Sequence, residues 1–333
     1  MEFINIAPDS SPEQQRLWKR AAVGTNQADP FCCAPAWQLA FHEAFSPKRR
    51  LLVEGASNSV IAFAEKVFSP DNVYLTPIEV HWLFGCPLLG RYAVELFTDA
   101  LACLEKEYRP FFPRILISGI RPGGILAARL LRTFGGEFRF FLQSRGVQCA
   151  ASLAGGLDGF FSRRSANHRH KLKKQARRAA EAGVIFERVA PASPGEAAAA
   201  YARILAVELT SWKGMGRCGM AEPPSRLFYD VLLRRLSATR AVRIIFAKYE
   251  DRDIGFIFGG LAKNIYRGQQ FSYADEWKDF SIGNLMQVEK IRWLCEEGVR
   301  RYDMGPLSGP RMGYKSHWTE KEIRMQSWIL ERK

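Results

Sequence analysis

The chain has 333 residues, 47% hydrophobic and 12% aromatic, the make-up of a globular protein with material for two cores rather than of a disordered or fibrous one. Its 48 Lys and Arg against 34 Asp and Glu give a formal charge of +14, which asks for an anionic partner: a polyphosphate cofactor, tRNA or an anionic membrane surface. No apolar run reaches the ~18 residues of a membrane span, and residues 1–9 have neither the basic stretch nor the apolar core of a signal peptide, so a cytoplasmic protein is expected.

The predicted elements follow a polar lead over 1–30, in which Ser11-Pro12-Glu13-Gln14 marks a helix start with Leu17, Trp18 and Ala21 inward. A helix is predicted over 31–45. Strands over 51–55 and 60–68 flank the turn 56–59, and 80–84 reads as a third strand. The Gly/Pro loop 85–90 precedes a helix over 92–108, a strand over 114–119, a helix over 124–134 and a strand over 138–143. An extended piece covers 147–151. Residues 160–182 read as one helix with a basic face (Arg163, Arg164, Arg169, Lys171, Lys173, Lys174, Arg177, Arg178), ended by Gly183 before a strand over 184–189. A strong helix over 197–212, a Gly-rich stretch over 213–224 and a helix over 226–237 come next.

The runs 242–249, 254–261 and 266–274 are β-branched and aromatic and read as three antiparallel strands. A polar loop, 275–284, leads to a helix over 285–297, where Leu285, Val288, Ile291 and Leu294/Cys295 share a face. Gly298 suits its C-cap, and 300–304 is one more strand. The order of helix pair, antiparallel strands, loop, helix and strand occurs in both halves, so two copies of one α+β fold are expected.

Seven scattered cysteines, with Cys32 and Cys33 adjacent, suit neither a simple bridge nor a C-x-x-C metal pair. The five histidines lack partners at ligand spacing, and no metal is expected. No Gly-x-Ser-x-Gly elbow announces a nucleophile.

Tyr273-x-Asp275-x-Trp277-Lys278-Asp279-Phe280-Ser281-x-Gly283-x-Leu285, then Gly298 with Tyr302-Asp303-Met304-Gly305, then Tyr314-Lys315 with Trp318, resembles GNAT-superfamily acyltransferases. The closer resemblance is to the tandem-GNAT group of CelD-like acyltransferases and FemABX aminoacyl transferases. It covers roughly 150–330, and the N-terminal half by pattern. It implies two tandem GNAT-like domains, each a mainly antiparallel sheet flanked by helices: a degenerate one over 1–150 and the acyltransferase over 151–333. It also implies an acyl donor, acyl-CoA or aminoacyl-tRNA, and a small-molecule amine as acceptor.

A helix start after 280 offers free N–H groups and a dipole that favour an anion. Ser281, Ile282, Gly283 and Asn284, with Lys278 nearby, are the candidate cofactor contacts. Lys278 to Gly283 is only a loose variant of the acetyltransferase pattern, which keeps other phosphate-bearing donors open beside acyl-CoA. Acyl transfer to an amine needs a base, an oxyanion contact and a proton for the leaving group. Glu208, ahead of Ser211-Trp212-Lys213, resembles the Glu…Trp-Lys element of CelD-like proteins and is the first candidate base. Asp303 is the second.

Tyr273 could protonate the leaving group, and the resemblance makes Lys315 an oxyanion or phosphate contact. Trp212, Lys213, Asp275, Tyr314 and Trp318 are candidate substrate contacts. Each has a plainer reading: a helix-surface carboxylate, a capping carboxylate, a half-buried strand aromatic, a solvated loop lysine. The basic residues Arg169, Lys171, Lys173 and Lys174 could hold a nucleotide phosphate or a tRNA acceptor stem, dock on a membrane, or simply face solvent. An N-acyltransferase is expected first, an aminoacyl-tRNA-dependent transferase second, and a non-catalytic nucleic-acid-binding module third.

Overall fold

The computed structural model describes residues 11–24, 27, 29–307 and 312–333. Part of the polar lead lies outside the described residues. The chain divides into two units, Met1–Val147 with Ile323–Lys333, and Gln148–Glu322.

In the first unit, α1 (Pro12–Gly24) and α2 (Pro35–Phe45) precede an antiparallel meander of β1 (Leu51–Ala56), β2 (Ser59–Ser69) and β3 (Asn72–Pro77). The short β4 (Leu88–Leu89), α3 (Ala93–Glu107), β5 (Arg114–Ile120), α4 (Ile125–Phe134) and β6 (Phe138–Ser152) follow. Leu39, Phe63, Leu75, Phe97, Ile115 and Leu130 belong to one buried apolar cluster. β3 and β5 run parallel but pair only at Tyr74–Arg114 and Leu75–Ile115.

The loop before β4 packs against β5 beyond that pairing, where Ser118 Oγ donates to the Gly85 carbonyl. The same loop corrects the strand expected over 80–84. The fully buried Glu79 carboxylate accepts the N–H groups of Trp82 (2.6 Å) and Phe84 (3.2 Å), so these donors end on a side chain instead of a ladder.

The second unit holds the end of β6, then α5 (Gly156–Ser162), α6 (Ala166–Glu181), β7 (Val184–Val189), α7 (Pro194–Thr210), α8 (Trp212–Met215) and α9 (Ser225–Ser237). The meander β8 (Val242–Tyr249), β9 (Arg252–Ala262) and β10 (Ile265–Tyr273) leads through a 3-10 turn (Asp275–Phe280) into α10 (Ile282–Glu296) and β11 (Arg301–Pro306). Its strand order is β6-β11-β10-β9-β8-β7, antiparallel except for β10 and β11. Ile245, Ile257, Ile282, Leu285 and Met286 bury together, and Phe160, Leu172, Ile291, Leu294 and Trp318 form a second cluster. Helix pair, three antiparallel strands, helix and parallel strand therefore recur in the two units.

Three further expectations change. The helix over 160–182 is two helices, because Ser165 caps α6 by accepting the His168 N–H (3.2 Å) while Arg164 turns back to pair with Glu320 and lies over the Phe160 ring. The strand β12 (Lys321–Arg332) was not among the expected elements; Trp328 and Leu330 pair with Ile117 and Ile115 of β5. Residues 323–333 thus belong to the first unit and not to the one expected over 151–333. α10 starts at Ile282, three residues before the expected helix, with Ser281 in the left-handed region (φ 57°) as the joint between the 3-10 turn and the helix.

Candidate functional site

β10 and β11 pair at only three positions, Ile265–Arg301, Tyr266–Tyr302 and Arg267–Asp303. Beyond these, β10 runs on to Tyr273 against β9, while β11 runs on to Pro306 against β6. The strands part and leave a gap edged by backbone that makes no ladder between β10 and β11. The Ala274 N–H donates to Ile254 of β9 (2.9 Å), so by strand alternation Phe271 and Tyr273 turn their N–H and C=O groups toward the gap. Their side chains share one face, against which Gly283 of α10 packs: a Cβ there would lie 3.0 Å from the Phe271 ring and 3.4 Å from that of Tyr273.

Lys213 reaches this gap from α8. Its Nζ donates to the Phe271 carbonyl (2.8 Å) and more weakly to Gln270 Oε1 (3.4 Å), and Gln270 in turn donates to Tyr229 Oη (2.8 Å). Burial pushes the Lys213 ammonium down, and the Glu208 charge pulls it partly back. Glu208 is no helix-surface carboxylate: it is fully buried at the end of α7. Its Oε1 accepts the Met220 N–H (3.1 Å), and a Cβ on Gly219 would stand 2.2 Å from that oxygen, so a larger residue there would force the carboxylate to shift. Its Oε2 is buried and has no hydrogen-bond partner among the described residues.

A cavity of about 270 Å³ lies between α6, the first turn of α10 and the 3-10 turn Gly313–His317. Asn284, Tyr314, Trp318 and Lys171 line it, joined by His168, Gln175 and His317, which the sequence did not single out for it. No pattern could have found these three, since the pairing spans about 150 positions of sequence. Ser281 is adjacent but occupied, its Oγ accepting from Gln175 Nε2 (2.7 Å). Trp318 is 2% exposed and stacks on Phe160, so it is a wall rather than a free surface. Burial pushes the Tyr314 hydroxyl up to about 12. Lys278 and Asp275 face each other (3.7 Å) at the exposed 3-10 turn and do not line the cavity. Arg169, Lys173 and Lys174 lie on the exposed face of α6, and Trp212 is 43% exposed.

Asp303 and Lys315 lie deeper. Both Asp303 oxygens take the Arg301 guanidinium, Nε and Nη2 each at 2.8 Å, which leaves no free carboxylate to act as a base and corrects that expectation. Lys315 is not solvated: it is 5% exposed, its Nζ donates to the Pro306 carbonyl (2.7 Å), and burial followed by the Arg267 charge pushes it down to about 8. Gly305, at φ 79°, would put a Cβ 3.2 Å from the Arg267 guanidinium, so the Tyr-Asp-Met-Gly string needs its glycine on two counts. Among the described residues no group of three His, Cys, Asp or Glu is placed to hold a metal, and no helix is long and apolar enough to cross a membrane.

Residues 166–316 match the family model for the acetyltransferase (GNAT) domain. Three solved structures are similar over the whole chain. FemX shares 11% identity at a TM-score of 0.65, covering 99% of this chain and 97% of that one. A conserved protein of unknown function from Bacteroides thetaiotaomicron VPI-5482 shares 8% at 0.64, covering 99% and 100%. L-PGS from Bacillus licheniformis shares 17% at 0.60, covering 99% and 94%. At such identities the likeness establishes the fold. No curated protein matches.

Proposed function

We propose, from the match of residues 166–316 to the acetyltransferase (GNAT) domain, that this chain moves an acyl group from acyl-CoA to an amine of a sugar or amino-acid acceptor, in the cytoplasm and by direct attack in a ternary complex. The observation that carries this reading is the gap where β10 and β11 part after Arg267 and Asp303, with the first turn of α10 beside it. An extended thioester arm can bond to the gap-facing backbone of Phe271 and Tyr273 as a strand would. Its phosphates then meet the amide end of α10 at Ser281, Ile282 and Gly283, with the Asn284 side chain beside them, since the Asn284 N–H already donates to the Ser281 carbonyl.

In this mechanism the acceptor's ammonium gives a proton, through a water, to Glu208. The amine attacks the thioester carbonyl, and Lys213, with protons to spare beyond its bond to Phe271, donates to the oxyanion. The C–S bond breaks as the C–N bond forms; the thiolate takes a proton from Tyr273, which the nitrogen's second proton replaces. Trp212 and Tyr314 are proposed to bound the acceptor. The test is thermal unfolding of the full chain with acetyl-CoA. A raised melting temperature, lost in Gly283→Trp, supports the reading, and no shift with any CoA ester overturns it.

The exposed cations Arg169, Lys173 and Lys174 on α6 favour one second reading, the same attack on an aminoacyl-tRNA ester. It predicts salt-sensitive tRNA binding that charge reversal at Lys173 and Lys174 weakens, with no response to CoA esters.

A further inference from the structure

We infer that the cavity between α6, α10 and the Gly313–His317 turn is an anion site that takes a single phosphate-ester group, gripped by Lys171, His168 and His317. Its lining contains three nitrogen bases or cations and no carboxylate, an imbalance that an anion would remove. The His168 and His317 rings stack with centroids 5.8 Å apart and planes 15° apart, which brings two imidazoles to one wall of the cavity. His168 Nε2 is buried and has no hydrogen-bond partner among the described residues, and the same holds for Gln175 Oε1. Turning the Gln175 amide over keeps its bond to Ser281, whose hydroxyl then donates, and presents the NH2 group instead. Asn284 adds another amide. Several donors around one space suit a tetrahedral group with several oxygens better than a carboxylate.

Size narrows the ligand. At about 270 Å³ the cavity falls just short of the ~300–1,000 Å³ of pockets that enclose whole small molecules, so it takes one group and leaves the bearer outside. The groups facing His168 are His317 from the 3-10 turn, Arg164 ahead of α6 and Lys171 within it; burial first, and then these neighbours, push its imidazolium form down. Arg164 is already paired with Glu320, which leaves Lys171 and the two imidazoles to answer a ligand. A bound phosphate reverses the sign of that environment, so binding draws a proton onto His168. The site deepens the acyltransferase reading, on which it rests only for the identity of the bearer, a phosphorylated acyl carrier.

The test is calorimetric titration of the full chain with adenosine 3′,5′-bisphosphate and with inorganic diphosphate, at pH 6.5 and pH 8, in two buffers of different protonation enthalpy. Proton uptake on binding and tighter binding at pH 6.5 are expected. Lys171→Glu should weaken binding by about tenfold or more, while Lys173→Glu, exposed on the same helix but outside the cavity, should change it little. His168→Gln should abolish the proton uptake. A preference for the nucleotide names a nucleotide carrier; equal binding of both probes names the phosphate alone. Equal losses in Lys171→Glu and Lys173→Glu, binding without proton uptake, or binding of neither probe would each overturn the site. If acetyl-CoA still raises the melting temperature when the site fails, the acyltransferase reading stands without it. If the probes bind through Lys171 while acetyl-CoA gives no shift, the site stands and that reading falls.

Discussion

Lys213→Met isolates the electrostatics at the β10–β11 gap. Methionine keeps the length and most of the volume of the lysine stem, so no cavity opens. What is lost is the charged bond to the Phe271 carbonyl at 2.8 Å, and a hydrogen bond to a charged group in a buried setting contributes about 1.5–3 kcal/mol. The fully buried Glu208 also loses the Lys213 charge that acts on it. At pH 7 the variant should lose about 2–3 kcal/mol.

For a unit of this size that corresponds to a melting temperature lower by about 5–10 °C. Glu208→Gln on its own keeps an oxygen for the Met220 N–H and should cost about 1 kcal/mol, and added to Lys213→Met it should restore about 1 kcal/mol. Urea denaturation of the four proteins at pH 5, 7 and 9 measures the cycle. A Lys213→Met loss within about 0.5 kcal/mol of zero, or losses that simply add at every pH, would show that the two charges do not act on each other and would remove Glu208 from the proposed chemistry.

Gly219→Val should cost about 2 kcal/mol or more, since its first carbon already collides with Glu208 Oε1; chemical denaturation reads it, and a neutral effect would mean that the turn does not close over Glu208. Lys315 ionises near 8 when folded and at the ordinary 10.5 when unfolded, so the unfolded chain holds the extra proton between those values and stability rises with pH across that window. The rise is about 3 kcal/mol, and it should vanish in Lys315→Met when the two proteins are denatured in parallel from pH 7.5 to 10.5. Tyr273→Phe should lower kcat by about a hundredfold with KM little changed, followed as free thiol released from acetyl-CoA; an unchanged kcat would assign the leaving-group proton elsewhere.

The meander and its helix were legible because their signals are local. Alternating β-branched residues over 242–274, the Gly298 stop (φ 71°) and the small residues at 281–284 each follow from a few neighbouring positions. β12 was equally open to reading, since Ile323 and Met325 alternate with charged residues, yet the run is polar enough to pass for a tail. The break at Ser165 carried a visible cap, but the basic residues on either side continue the helical period across it.

Chain order and period by themselves determined most element types and the recurrence of one arrangement in both halves, and put a helix start within three residues of Ile282. The environment of each charge came only with tertiary structure. Glu208, Asp303 and Lys315 look alike as polar residues in amphipathic stretches, yet one is closed under a turn, one is clamped by Arg301 and one is tied to the Pro306 carbonyl. Desolvation and pairing depend on what packs above a residue from distant parts of the chain. The stacking of His168 on His317 is decided in the same way, by a helix and a turn far apart in the sequence that meet in the fold.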